Sequence, residues 1–303
     1  MAPPSATTTE TYTNGDHKPS TKATLEVGLT ENQASKQESA QSVEMPKLLG
    51  PKKFTDKYEE RHYLKGRLAA AFRIFGKFGL DDGVAGHITV RDPVDPSTFW
   101  VNPFGVSFSL MKRSDLIQVN HEGKVIDGGP CRLLNAAAFM IHGAIHKKRP
   151  DVLCAAHSHT VYGRAFCALG RKLDMITQDS CSFYNDHVLY ENFNGIVIAE
   201  EEGKHIANAL GDKKAALLQN HGLLTAGETV EATVMWFVAL EKSCHSQLMA
   251  DAAAGGRGHE TIKISPEDAE YTYNTIGTPI AGWFSAKPMF DVIEKECGHE
   301  YLD

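Results

Sequence analysis

The sequence has no apolar run of about 18 residues, the length that crosses a bilayer as a helix, so no membrane partner is expected. It has no basic excess either: 31 Lys and Arg face 38 Asp and Glu, for a formal net charge of −7. That balance offers nothing to draw the protein to nucleic acid or to an anionic lipid surface. No CxxC pair occurs. The six cysteines (Cys131, Cys154, Cys167, Cys181, Cys244, Cys297) lie scattered and read as reduced thiols of a cytoplasmic protein, which argues against a disulfide framework. The first twenty residues lack the basic and apolar regions of a signal peptide and the Arg-rich pattern of a transit peptide. Residues 1–46 are also poor in aromatics and rich in Thr, Ser, Glu, Gln, Lys and Pro. Such a stretch cannot bury enough apolar surface to offset its ordering entropy, and a disordered tail is expected there.

What is present suits one sizeable core: 303 residues, 42% hydrophobic and 23% charged. Leu64, Leu68, Ala71, Phe72 and Phe75 recur at helical spacing and predict a helix over Phe54–Phe78. Strands are expected over Ala85–Arg91 and Phe99–Val101, with Asn102-Pro103-Phe104-Gly105 ending the second, and a hairpin about His121-Glu122-Gly123. A helix follows over Asn135–Lys148, then a buried strand over Val152–Thr160 and a helix over Val161–Leu169. Short strands are expected at Asp174–Thr177 and Gly195–Ala199, and a helix at about Glu201–Leu210. A buried strand, Ala215–Gln219, ends at Asn220-His221-Gly222, Leu223–Ala226 continues the sheet, and Glu228–Ala253 is a long amphipathic helix. On that helix Trp236, Phe237, Leu240 and Cys244 mark a core face or a subunit contact. Helices and strands intermix throughout, which predicts one layered α/β domain over 47–264, with 265–303 docking on it and a short helix near Pro288–Lys295.

His157 and His159 stand two apart in Cys154-Ala155-Ala156-His157-Ser158-His159-Thr160. Alternate side chains of a strand share a face, so both imidazoles project the same way from the end of a buried strand. His221 follows a second buried strand and precedes a glycine that permits a sharp turn. Three imidazoles with open positions suit Zn²⁺, with Fe²⁺, Mn²⁺ and Co²⁺ as alternatives.

Together with Ala85-Gly86-His87-Ile88-Thr89-Val90-Arg91, Asn102-Pro103-Phe104-Gly105, and His142-x-x-x-His146 followed by Arg149-Pro150-Asp151, these histidine motifs make the chain resemble the class II aldolase/adducin family over about residues 55–255. The resemblance implies a three-layer α/β/α sandwich with a mainly antiparallel central sheet. It implies a divalent metal, usually zinc, on His157, His159 and His221, and a homo-oligomer, often a tetramer, with sites at subunit contacts. Enzymes of the family cleave a carbon–carbon bond of a sugar phosphate through a metal-stabilised enolate.

The chain departs from that pattern. The family's phosphate-holding Ser-Ser pair and its essential Glu fall near Ala136, Ala137 and Ala138, and no Asp or Glu lies between Asp127 and Asp151. The Asn of the glycine loop is His87, and a family tyrosine falls near Gln178. A phosphate dianion needs several donors to replace its hydration shell, so a small non-phosphorylated hydroxy or oxo compound is the expected substrate. Acid–base candidates are then His187, Tyr184 and Asp179, from the polar stretch 178–187. Substrate contacts fall to His87, Asn102, Gly105 and Gln178. His142 and His146, one helical turn apart, read as core hydrogen-bonding groups or as supports of the metal ligands. The leading expectation is a lyase of aldolase or decarboxylase type. A non-haem iron oxygenase is the alternative within the enzymes. An adducin-like protein binding the actin–spectrin cytoskeleton is the non-catalytic one, although the acidic balance and the retained histidines favour an enzyme.

Overall fold

Lys57–Lys77 (α1) starts where the Asp56 side chain accepts the N–H of Tyr58 at 2.7 Å, and it buries Leu64, Leu68, Phe72 and Phe75 along one face. The structure, a computed structural model, describes residues 50–193, 195 and 200–303. The expected tail over 1–46, and the strand expected over 195–199 beyond its first residue, lie outside the described residues.

Among the described residues eight strands form one sheet: β1 His87–Arg91, β2 Phe99–Val101, β3 Ile117–Val119, β4 Val125–Gly128, β5 Cys154–Ser158, β6 His187–Tyr190, β7 Ala215–Leu218 and β8 Gly222–Gly227. Their order is β4-β3-β2-β1-β5-β8-β7-β6. Every pairing is antiparallel except β6 with β7. The remaining helices are α2 Ala136–Lys148, α3 Val161–Cys167, α4 Glu200–Leu210, α5 Val230–Gly255, α6 Pro266–Ile276 and α7 Pro279–Cys297.

Strand alternation sorts the core into two layers. Ala216, Leu218, Leu224 and Ala226 face Ile141 and Ile145 of α2 and Ile206 and Leu210 of α4. Their neighbours Leu217 and Leu223, with Ile88 and Val90, face Phe72 and Phe75 of α1, Phe237 and Leu240 of α5, and Phe290 and Ile293 of α7. The expected three-layer sandwich with a mainly antiparallel sheet is what the chain forms, and the segment after 265 contributes α7 to its core.

Three expectations need correction. Asp174–Thr177 forms no strand: the Met175 carbonyl accepts the Ile264 N–H at 2.8 Å, but no ladder develops. The polar stretch 178–187, to which the sequence assigns no helix or strand, holds a 3₁₀ turn at Asp179–Phe183 and the start of β6. The short helix expected near Pro288 is a 19-residue helix with that proline inside it, preceded by α6. Both begin with a capping hydroxyl (Ser265, Thr278) followed by proline at the first helical position.

Candidate metal centre

The register brings three chain segments to one end of the sheet. β5 runs antiparallel to β1 and to β8, so the end of β5 meets the start of both: His87 pairs with His157, His157 with Leu224, and Ser158 with Leu223. His221 sits in the tight turn between β7 and β8. Asn220 takes the left-handed conformation there (φ 56°), which a short polar side chain tolerates, and the His221 N–H bonds the Leu218 carbonyl at 3.0 Å. His159 lies one residue past the end of β5, so strand alternation alone does not aim it. Its position is held from behind by Glu241 of α5. That buried carboxylate accepts the Thr160 hydroxyl, the Tyr162 N–H at 3.1 Å and the Gly163 N–H at 2.7 Å, fixing the turn into α3.

The ligand nitrogens of His157, His159 and His221 all lie within 4.8 Å of one another. Ring centroids are 5.0 Å apart for His157 and His159, 4.7 Å for His157 and His221, and 4.8 Å for His159 and His221. His157 Nδ1–H donates to the Leu223 carbonyl at 2.8 Å, which leaves Nε2 bare on the side of the cluster. Gly222 is part of the cradle. A Cβ there would stand 2.6 Å from the Ser158 carbonyl and 3.3 and 3.4 Å from the rings of His159 and His157.

Burial, then the charges of the neighbouring rings, holds His157 well below the ordinary imidazole range. The same two causes bring His221 to about 4, and burial followed by Arg164 lowers His159. All three are therefore neutral near pH 7, the form in which imidazole ligates. A convergent, neutral, nitrogen-only donor set with one tautomer already fixed fits a borderline divalent ion such as Zn²⁺.

Beside the triad lies a second group of histidines. His87 Nδ1 is 2.9 Å from His142 Nε2, His142 Nδ1 is 2.8 Å from Thr89 Oγ1, and Thr89 Oγ1 is 2.8 Å from His146 Nε2. All four side chains are buried. Two strand residues spaced i, i+2 on β1 thus meet two helix residues spaced i, i+4 on α2. His142 and His146 serve in core hydrogen bonding, and Thr89, which sequence reasoning passed over, joins them.

The other expected site residues fall in different places. Asn102 follows β2 at the triad's end of the sheet. It is buried, and its Oδ1 has no hydrogen-bond partner among the described residues. Gly105 adopts a left-handed φ of 89° beyond it. Gln178 and Asp179 are exposed at the start of the 3₁₀ turn. His187 and Tyr184 are not brought to the triad within this chain. β6 is parallel to β7 and starts level with Ala215, so the residues before it emerge at the end of the sheet opposite His221. There Tyr184 lines a cavity of about 440 Å³ with Asp186, Lys214, Trp236 and Tyr273. Both ring nitrogens of His187 are engaged by backbone: Nδ1–H donates to the Phe183 carbonyl at 2.7 Å, and Nε2 accepts the Leu173 N–H at 3.1 Å.

Residues 66–248 match the family described as the class II aldolase and adducin N-terminal domain. The chain belongs to the class II aldolase/adducin family. It is 45% identical over 243 residues to the decarboxylase NovR of Streptomyces niveus, covering 80% of this chain and 87% of that one. It is equally similar, over the same length, to a protein of Streptomyces roseochromogenus subsp. oscitans named 4-hydroxy-3-prenylphenylpyruvate oxygenase/4-hydroxy-3-prenylbenzoate synthase, with 80% and 85% covered. A solved structure titled L-fuculose 1-phosphate aldolase, from Glaciozyma antarctica PI12, superposes with a TM-score of 0.77 at 50% identity, covering 84% of this chain and 97% of that one. Class II aldolases are in general dependent on a divalent metal, act on small molecules and form oligomers. No described helix is long and apolar enough to cross a membrane.

Proposed function

We propose that this chain is a metal-dependent lyase, of aldolase or decarboxylase type, acting on a small non-phosphorylated hydroxy or oxo compound as a cytoplasmic homo-oligomer. The observation that carries this reading is the convergence of His157, His159 and His221, all neutral, on one point. His157, His159 and His221 would hold a divalent ion, zinc first and iron, manganese or cobalt as alternatives, which would supply Lewis-acid stabilisation of the negative charge that develops as a carbon–carbon bond breaks. The chain's own residues do the rest. The Leu223 carbonyl orients His157, Gly222 leaves room for the rings, and Glu241 holds the turn that carries His159.

The non-phosphorylated class rests on α2. Its first turn offers Ala136 and Ala137, with the Asn135 side chain already accepting the Ala137 N–H at 3.0 Å. No hydroxyl or carboxylate of that turn is left to hold a phosphate or to move a proton. The two Streptomyces relatives, named for a decarboxylase and for an aromatic acid synthase, point the same way. The solved aldolase titled for a phosphorylated sugar points the other way, so its named substrate belongs in the same assay. An oxygenase is the second reading, favoured by the name of one relative.

Metal analysis of the purified protein, beside a His157→Ala/His159→Ala double variant, tests the proposal. About one divalent ion per chain is expected in the first and none in the second. Protein without stoichiometric metal ends the lyase reading. Iron content with oxygen uptake favours the oxygenase, and turnover of L-fuculose 1-phosphate removes the non-phosphorylated class.

A further inference from the structure

Lysine is rarely buried unless its charge is paired, and Lys214 is buried at the end of the sheet opposite the triad. It stands immediately before β7, and its backbone N–H donates to Asp186 Oδ1 at 3.1 Å. Its Nζ donates to the Gly277 carbonyl, just past α6, at 2.6 Å and lies 3.1 Å from Asp186 Oδ2. The Tyr273 hydroxyl donates to that same Asp186 oxygen at 2.7 Å. The rings of Trp236, on α5, and Tyr273, on α6, stand 4.1 and 4.8 Å from Nζ. One amine, one carboxylate and one phenol thus meet at a spot walled by two aromatic faces.

These groups line the cavity of about 440 Å³ that Tyr184 also borders, a volume suited to a small molecule. Exposed Asp212, Glu228 and Glu270 form its rim. Burial lowers the Lys214 amine to about 8, against the pull of Asp186. Burial and then Asp186 push the Tyr273 phenol well up, and burial keeps His187, the residue after Asp186, neutral near pH 7. Neither therefore changes charge as Lys214 titrates. We propose that Lys214 is a carbonyl-reactive amine, which forms an iminium with a small neutral aldehyde in this cavity, at a site separate from the histidine triad and independent of any metal there. Asp186 handles the protons, and Tyr273 is a positioning residue that acts through Asp186.

The step balances within these groups. Asp186, in proton-transfer reach of Nζ, takes one proton from the ammonium. The freed lone pair attacks the aldehyde carbon, and the carbonyl π pair moves to oxygen. A second nitrogen proton passes to that oxygen and gives a carbinolamine. Asp186 then returns its proton to the hydroxyl, which leaves as water while the nitrogen lone pair closes the C=N bond. One ammonium and one aldehyde become one iminium and one water, with no oxidant or reductant. The iminium carries the same single positive charge that Asp186 and the two ring faces already hold, so surroundings that suit the ammonium also suit the product. The lining sets the class of aldehyde. Five carboxylates (Asp151, Asp186, Asp212, Glu228, Glu270) outnumber the cations of Arg149, Lys213 and Lys214, which disfavours an anionic aldehyde.

Full-length protein, with and without added zinc, is treated with propanal and sodium cyanoborohydride, which reduces an iminium to a stable secondary amine. Peptide mass spectrometry then maps the labelled lysines. At pH 7.4 Lys214 is expected to label at least about tenfold faster than the exposed lysines, because an amine near 8 is far more deprotonated there than one near about 10.4. Its rate is expected to level off above pH 8, while theirs goes on rising. Glyoxylate, an anionic aldehyde, is expected to lose most of that preference for Lys214. Lys214→Arg removes the label and Asp186→Asn slows it; where either variant fails to fold, the pH profile of the wild type decides. Labelling spread evenly over the lysines, a Lys214 rate that climbs with the exposed ones, or labelling that appears only with zinc overturns the proposal. An undiminished preference with glyoxylate overturns the neutral class.

Discussion

Gly222 shows how one residue sets the geometry of the histidine triad. It starts β8 directly after His221, and its missing side chain is what lets β5 and the His221 turn approach. A methyl group there would collide with the Ser158 backbone carbonyl, which cannot swing aside, and would press on two of the three imidazoles. Gly222→Ala is therefore expected to destabilise the protein by about 1–3 kcal/mol in urea unfolding. It is also expected to weaken zinc binding by more than tenfold in a competition assay. Unchanged zinc affinity would mean that the rings are placed by something other than this contact. The triad itself is legible in sequence because its spacing is local: two histidines at the end of one apolar run, and one between two others. The His87–His142–Thr89–His146 chain is not. Its members announce only the i, i+2 and i, i+4 spacings, which any core hydrogen-bonded group shares. What makes them a unit is the packing of α2 across β1, and that is a tertiary fact.

Among the elements, those with one strong period were readable. α1, α2 and α5 have apolar stripes, and β1, β5, β7 and β8 are short apolar runs between turn residues. The elements that escaped are those whose signals conflict. α7 carries Pro288 in its interior, which removes a backbone donor and reads as a helix break, yet packing of Ala286, Phe290 and Ile293 into the core carries the helix through it. β6 begins with a histidine after a polar stretch, and its pairing with β7 is parallel, so no hairpin signals it. That topology also explains why His187 and Tyr184, acid–base candidates by their place in the polar stretch 178–187, emerge at the far end of the sheet. The joint between β5 and α3 is the element-scale support of the histidine triad, and Glu241 tests it. Glu241→Ala leaves the Thr160 hydroxyl and the N–H groups of Tyr162 and Gly163 without their buried acceptor. The expected cost is about 2–4 kcal/mol in urea unfolding. Weaker metal binding should accompany it, because His159 is adjacent to the loosened turn. A variant with wild-type stability would show that water replaces the carboxylate at that site.

Across the whole molecule the buried histidines make folding depend on pH in one direction. Burial keeps His146 neutral down to about 3 and His221 down to about 4, and it holds His87, His142 and His157 well below their ordinary value of 6.5. In the unfolded chain each of these imidazoles takes up a proton near 6.5, so below that pH the unfolded state binds more protons than the folded one. Stability contributed by the neutral rings is complete above 6.5 and is lost as pH falls toward the folded values. Each such histidine withdraws about 2 kcal/mol between pH 7.4 and pH 5. Carboxylates titrate lower, near 4 in an unfolded chain, so the window from 6.5 to 5 isolates the histidines. A domain of this size is stable by only about 5–15 kcal/mol, and several histidines acting together consume most of it. Metal-free protein is therefore expected to show a urea midpoint that falls steeply from pH 6.5 to pH 5 and to unfold near the lower end at room temperature. A midpoint flat over that window would mean that these rings accept protons without leaving the folded state, which their burial among one another forbids.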